Sequence, residues 1–194
     1  MAIEIELPDP SLVVLIGAAG SGKTTLARRH FEPSEILSSD AFRARLGTGE
    51  DDQDATGPAF RALHAALRRR LSQGLLTVVD ATNVRRSDRR RLIRRADDTR
   101  SPAVAIVLDL GLEACLDGDL ERPGRHVEPP VIRRQWSDLQ ASLARPGGLI
   151  EEGFVSVHRL TRRKDVDDLR LRRWPTIRTA LVTPRPNDEG DPGA

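Results

Sequence analysis

Apolar residues along this chain gather into short aliphatic runs, and the stretches between them show helical spacing. Residues 11–16 (SLVVLI) form a β-branched and aliphatic run, the pattern of a strand buried on both faces. A weaker run follows at 35–39, then a strong one at 75–79 (LLTVV) ending on Asp80, then 103–110, and finally 153–158 (GFVSVH). Between them the sequence predicts helices from the glycine-rich segment through His30, over 40–46 with Asp40 as its cap, and over 57–73. In the last of these, Pro58 suits the first turn, Phe60, Leu63, Leu67 and Leu71 recur at helical spacing, and Gly74 stops it. Further helices are predicted over 87–98 with Ser87 as N-cap, 112–120, and 131–143. Residues 47–56 (GTGEDDQDAT) hold four acids and no base and read as a surface loop. Residues 122–130 (RPGRHVEPP) read as a broken basic loop.

Five strands alternating with helices imply an α/β fold: a five-stranded parallel sheet flanked by helices on both faces. Right-handed crossovers bring all strand C-termini to one edge, where ligands of open α/β sheets bind. The chemically distinctive residues fall there: 17–25 after the first strand, Asp40 after the second, and 80–83 after the third.

A chain of 194 residues fits one domain with a short appendage. The pattern fades after about residue 163, so a domain over 1–163, an extension over 164–185 and a disordered acidic tail over 186–194 are expected. No run approaches the ~20 apolar residues of a membrane span, and the N-terminal segment lacks the charged and apolar regions of a secretory leader. A single cysteine, Cys115, excludes an internal disulfide framework and fits a reducing, cytoplasmic setting. Four scattered histidines offer no zinc spacing. The net charge of +2 is too small to specify an acidic partner. Of 31 basic residues only Lys23 and Lys164 are lysine, so Lys23 marks a position where ammonium and guanidinium are not interchangeable.

Residues Gly17-Ala18-Ala19-Gly20-Ser21-Gly22-Lys23-Thr24 match G-x-x-x-x-G-K-[ST] in full, between a buried strand and a helix. Glycines let successive N–H groups turn inward on phosphate oxygens, and the helix beginning near Thr25 adds the positive end of its dipole. Lys23 then bridges the β- and γ-phosphates, and Thr24 places its hydroxyl on Mg²⁺. This motif specifies a nucleoside triphosphate, ATP or another NTP, and leaves open whether its γ-phosphate goes to water or to an acceptor.

Asp40 reads either as a helix N-cap or as the carboxylate that takes a proton from an acceptor hydroxyl, with Arg43 one turn along to hold a neighbouring phosphate. Asp80, closing an aliphatic strand, reads either as a strand-end acid or as the second metal-side carboxylate, followed by Thr82 and Asn83 as polar groups near the acceptor. Arg122 and Arg125 read either as a solvated basic loop or as a mobile lid whose guanidinium groups stabilise charge on the transferring phosphoryl group.

Together these segments resemble the kinase domain of bacterial polynucleotide kinase-phosphatase, within the polynucleotide 5′-kinase family of P-loop kinases. The residues that carry the resemblance are GAAGSGKTT at 17–25, LSSDAFR at 37–43, DDQDATGPAF at 51–60, TVVDATNV at 77–84 and ERPGRHVEPPVIRRQ at 121–135. It implies transfer of the γ-phosphate of an NTP to the 5′-OH end of RNA or DNA, an end-healing step in nucleic-acid repair. It implies Lys23 and Thr24 as phosphate and Mg²⁺ ligands, Asp40 as general base, Arg43 at the acceptor, Arg122 and Arg125 on the donor phosphates, and Gln53 near the acceptor. The chain departs from the family pattern at Gly118-Asp119, where members often carry Arg-Asn. It is also too short for phosphatase or ligase modules, which the resemblance places in trans or on a longer chain.

The 81–100 segment holds eight Arg and three Asp, which reads either as a phosphate-backbone track or as a solvated face. Aromatic residues are only 3% of the chain, so no stacking platform for a long single strand is expected. A small-molecule or toxin-type kinase acting on a sugar hydroxyl, and a non-catalytic NTP-dependent switch, are the alternatives.

Overall fold

A computed structural model describes residues 3–46, 56–122, 124 and 126–175. The central sheet has five parallel strands in the order β3-β4-β2-β5-β6. These are β2 (Leu12–Ile16), β3 (Ile36–Ser38), β4 (Thr77–Asp80), β5 (Ala103–Leu108) and β6 (Ser156–Leu160). Every residue of β2, β4 and β5 is buried, which explains their unbroken apolar character.

Successive side chains of each strand enter opposite layers. Val13, Leu15, Val104 and Ile106 pack with Leu26 of α1 (Lys23–His30) and Cys115 of α5 (Leu112–Leu120). Leu12, Val14 and Ile16 pack on the other face with Leu63, Leu67 and Leu71 of α3 (Thr56–Ser72) and with Leu92 and Ile93 of α4 (Arg86–Asp98). The helix α6 (Pro129–Leu143) reaches both layers, with Ile132 buried in one and Leu139 in the other. It therefore crosses the sheet at its C-terminal edge.

Several expectations are corrected. The strand predicted at 153–158 lies at β6, because Gly153 adopts φ +111 after a short 3-10 turn and only then does the chain extend. The helix α2 (Ser39–Leu46) begins one residue before Asp40, and Ser38 Oγ accepts from the Ala41 N–H, so Asp40 is a first-turn residue and not the cap. The helix α4 begins at Arg86, and no side chain caps it, so Ser87 is not its N-cap. Within the expected extension, the described chain carries regular structure through residue 175. It forms α7 (Arg163–Asp167) and then β7 (Arg170–Pro175), which pairs in parallel with β1 (Glu4–Asp9) as a separate two-stranded sheet. The expected tail over 186–194 lies outside the described residues.

Candidate active site: a phosphate loop facing a paired carboxylate

The phosphate loop leaves β2 and is fastened at its start, where the Gly17 N–H donates to Thr82 O at 3.0 Å. Gly20 and Gly22 take φ +74 and +95, conformations that side chains with a Cβ rarely adopt. Gly20 also runs against Cys115 and Asp119 of α5, where a Cβ would overlap backbone atoms. Gly22 is the N-cap of α1, so the helix begins at Lys23 with its N–H groups directed into the loop. Lys23 Nζ donates to Ala18 O at 2.7 Å and lies 3.3 Å from Ser21 Oγ. Burial pulls its ammonium below the ordinary lysine pKa, while the nearby Asp80 carboxylate opposes the shift.

Thr24 Oγ1 donates to Asp80 Oδ2 at 2.9 Å. Burial pushes the Asp80 carboxyl above its ordinary pKa, with Lys23 and the Thr24 hydroxyl pulling it back. A hydroxyl and a carboxylate at this spacing, beside a phosphate cradle, are the hard oxygen donors that Mg²⁺ takes. Among the described residues no cluster of three or more acidic, His or Cys side chains could hold a metal by itself. This donor set therefore fits an ion completed by phosphate oxygens and water, as Mg²⁺ bound with a nucleotide is.

On the β3 side of the loop, Asp40 is ion-paired with Arg43, and Arg122 Nη2 lies 3.6 Å from its other oxygen. Arg122 and Asp40 thus meet, a contact between residues 82 positions apart that no local spacing announces. Asp40, Arg43, Lys23, Asp80 and Arg122 all line one cleft of about 1030 Å³, together with Thr82. The phosphate loop is its floor. Asp40 stands toward β3, while Gly118 and Arg163 line the cleft toward β5 and β6. Charged side chains therefore stand on both sides of the phosphate loop within the one cleft.

Asn83 is corrected as an acceptor ligand. Its side chain is buried, and Nδ2 donates to Leu15 O at 2.8 Å and Ala81 O at 3.3 Å. With φ +49 it shapes the turn after β4 and does not face the cleft. Gln53 and Arg125 lie outside the described residues. The Gly118-Asp119 departure has a structural meaning: a Cβ at 118 would overlap Gly20 O, and Asp119 is turned inward, its Oδ2 accepting from the Val127 N–H at 2.8 Å. Sequence reading missed Gln135, whose Oε1 accepts from the Ala19 N–H of the phosphate loop at 2.8 Å. The 116 residues separating the two leave no local signal for this contact.

The fold and this loop together define an α/β domain of the P-loop kinase fold. A family profile described as an AAA domain matches residues 12–146, and the chain belongs to that family. Searching curated proteins finds no match. Among solved structures, a chain of the Pnkp1/Rnl/Hen1 RNA repair complex is similar, with a TM-score of 0.58 and 23% identity over 70% of this chain and 45% of that one. Chaetomium thermophilum Kti12 in complex with ADP-AlF3 gives 0.54 and 22% over 80% and 93% of the two chains. A gluconokinase from Sinorhizobium meliloti 1021 gives 0.51 and 18% over 84% and 90%. At these identities the likeness concerns the fold. No helix among the described residues is long and apolar enough to cross a membrane.

Proposed function

We propose that this chain is a polynucleotide 5′-hydroxyl kinase that moves the γ-phosphate of ATP or another NTP to the 5′-OH end of RNA or DNA. The observation that carries the reading is the Asp40–Arg43 pair at the end of the cleft opposite the β5 and β6 side. A carboxylate joined to a guanidinium suits an alcohol with an anion close by, and a terminal nucleotide presents its 5′-OH next to a phosphodiester. Exposed Arg28 lines the same cleft and adds a second cation for that anion.

In this reading the loop N–H groups and Lys23 grip the triphosphate, and Thr24 and Asp80 hold Mg²⁺. That ion supplies Lewis-acid charge on the phosphate oxygens. Asp40 accepts the proton of the 5′-hydroxyl as its oxygen bonds to the γ-phosphorus. The bond from that phosphorus to the β,γ-bridging oxygen breaks, and the products are ADP and a 5′-phosphate end. Arg122, 3.6 Å from Asp40, lies where it can neutralise charge on the group in transit. By the resemblance, Arg125 acts with it on the donor phosphates and Gln53 acts at the acceptor, where Thr82 lines the cleft.

The test is an acceptor panel. Labelled γ-phosphate is offered to 5′-OH RNA, 5′-OH DNA, a set of free sugars including gluconate, and water. Labelled oligonucleotide ends are expected. Label on a sugar alone, or release to water alone, overturns the proposal.

A further inference from the structure

Gln135 has no place in the scheme above. It sits on α6 between Ile132, buried in one layer, and Leu139, buried in the other, so it lies where the helix crosses the strand ends. Its Oε1 accepts from the Ala19 N–H at 2.8 Å. A backbone N–H can only donate, so the side-chain atom facing it must be the oxygen, and the amide orientation is fixed by chemistry. The NH₂ end then points away from the loop backbone. Gln135 lines the nucleotide cleft, and among the described residues no protein acceptor engages Nε2. An amide tied at one end to the phosphate cradle, with two N–H groups left over at the other, is a positioned donor awaiting an anion.

Building on the kinase reading, we propose that Gln135 is a ligand of the transferring phosphoryl group, its Nε2 donating to a γ-phosphate oxygen while Ala19 holds the amide in place. Two further contacts keep the helix that carries it in register with the strand ends. Trp136 Nε1 donates to Leu110 O at 3.1 Å, and Ser142 Oγ donates to Val84 O at 3.1 Å. The same helix follows the segment that bears Arg122.

The experiment compares ATP with ADP in direct binding, using Gln135→Met and Gln135→Glu in the full chain, with Lys23→Ala as the control for the cradle. Met keeps the shape and loses both hydrogen bonds. Glu keeps the acceptor for Ala19 and loses the donor. Both variants are expected to weaken ATP about tenfold or more, the scale of one hydrogen bond to a charged group, and to leave ADP within about twofold. Single-turnover transfer should fall in parallel. Equal losses for ATP and ADP, or a Glu variant that matches the parent on both ligands, would overturn the assignment and leave the kinase reading standing. A parent protein that binds neither nucleotide overturns both. Thermal melts of each variant separate misfolding from loss of contact.

Discussion

Arg89 offers the sharpest test of how the site is supported. It lies in the Arg-rich helix α4, yet its side chain is fully buried. Nε and Nη2 form a two-pronged bridge to Glu152 at 2.8 and 2.7 Å, and the Glu152 side chain is itself only 2% exposed. Nη1 donates to Asn83 O at 2.9 Å and Val84 O at 2.7 Å, which pins the turn that follows Asp80. Replacing Arg89 by Met strands a buried carboxylate and removes the Asn83 O partner. Breaking one partner of a buried pair costs about 3–5 kcal/mol. The lower end applies, because Arg86 lies 3.8 Å from Glu152 and Ser142 still serves Val84 O. A loss of about 3 kcal/mol in a domain of this size lowers Tm by roughly 6–12 °C. The double variant Arg89→Met with Glu152→Met should recover part of this, leaving about 1–2 kcal/mol for the orphaned carbonyl. Neighbouring Arg90→Met and Arg91→Met, both exposed, should change stability by under about 0.5 kcal/mol. Denaturant melts of the four proteins decide the matter. An Arg89→Met protein as stable as its Arg90 counterpart, or a double variant no better than the single, refutes the reasoning.

Three other outcomes follow from the cleft. Asp80→Asn keeps the Thr24 contact but removes the anion, so turnover should drop by about 100-fold. Burial raises the folded pKa of Asp80 above its unfolded value, which costs stability once the pH exceeds the ordinary aspartate range. The Asn variant should therefore melt higher than the parent at neutral pH, with the gap closing in acid; a lower neutral Tm would contradict this. Lys23 is shifted the other way, so its ammonium is lost at a pH below that of an ordinary lysine. ATP affinity should therefore fall as pH rises, starting below the range in which an ordinary lysine loses its proton, and a flat profile would count against the buried ammonium as the anchor. Gly118→Ala places a Cβ against Gly20 O and beside the Arg163 guanidinium, and it should weaken ATP by about tenfold through displacement of the loop; unchanged affinity shows that the backbone yields freely.

What the sequence revealed depended on range. The phosphate loop is contiguous, and its flanking strand and helix are strongly patterned, so loop, strand and helix could be read together. Asp40 and Asp80 were legible because parallel topology gathers strand C-termini, which makes position along the chain equivalent to position in the cleft. The small sheet was not legible: β1 has the modest alternation EIELPD, and its partner β7 is RLRRWP, so neither segment looks like a strand until the other is placed beside it. Arginine counting misled in α4, where Arg89 is a buried structural cation neutralised by Glu152 and cannot belong to any solvated basic face. Asn83 was misread for a related reason. A polar residue after a strand-end acid can turn toward the ligand or toward the fold, and the Leu15 carbonyl that claims its amide is 68 positions away. The contacts of Gln135 with Ala19 and of Arg122 with Asp40 likewise exist only in three dimensions.

The most direct measurement is the single-turnover rate of γ-phosphate transfer to a 5′-OH oligonucleotide by Asp40→Ala, set beside Arg91→Ala and the parent under saturating ATP. The proposed role of Asp40 as general base predicts a transfer step slowed by about 10²–10⁴-fold, with ATP affinity kept within about threefold and the Arg91 variant close to the parent. An Asp40→Ala protein that transfers phosphate at the parental rate, or one slowed no more than Arg91→Ala, would contradict the account.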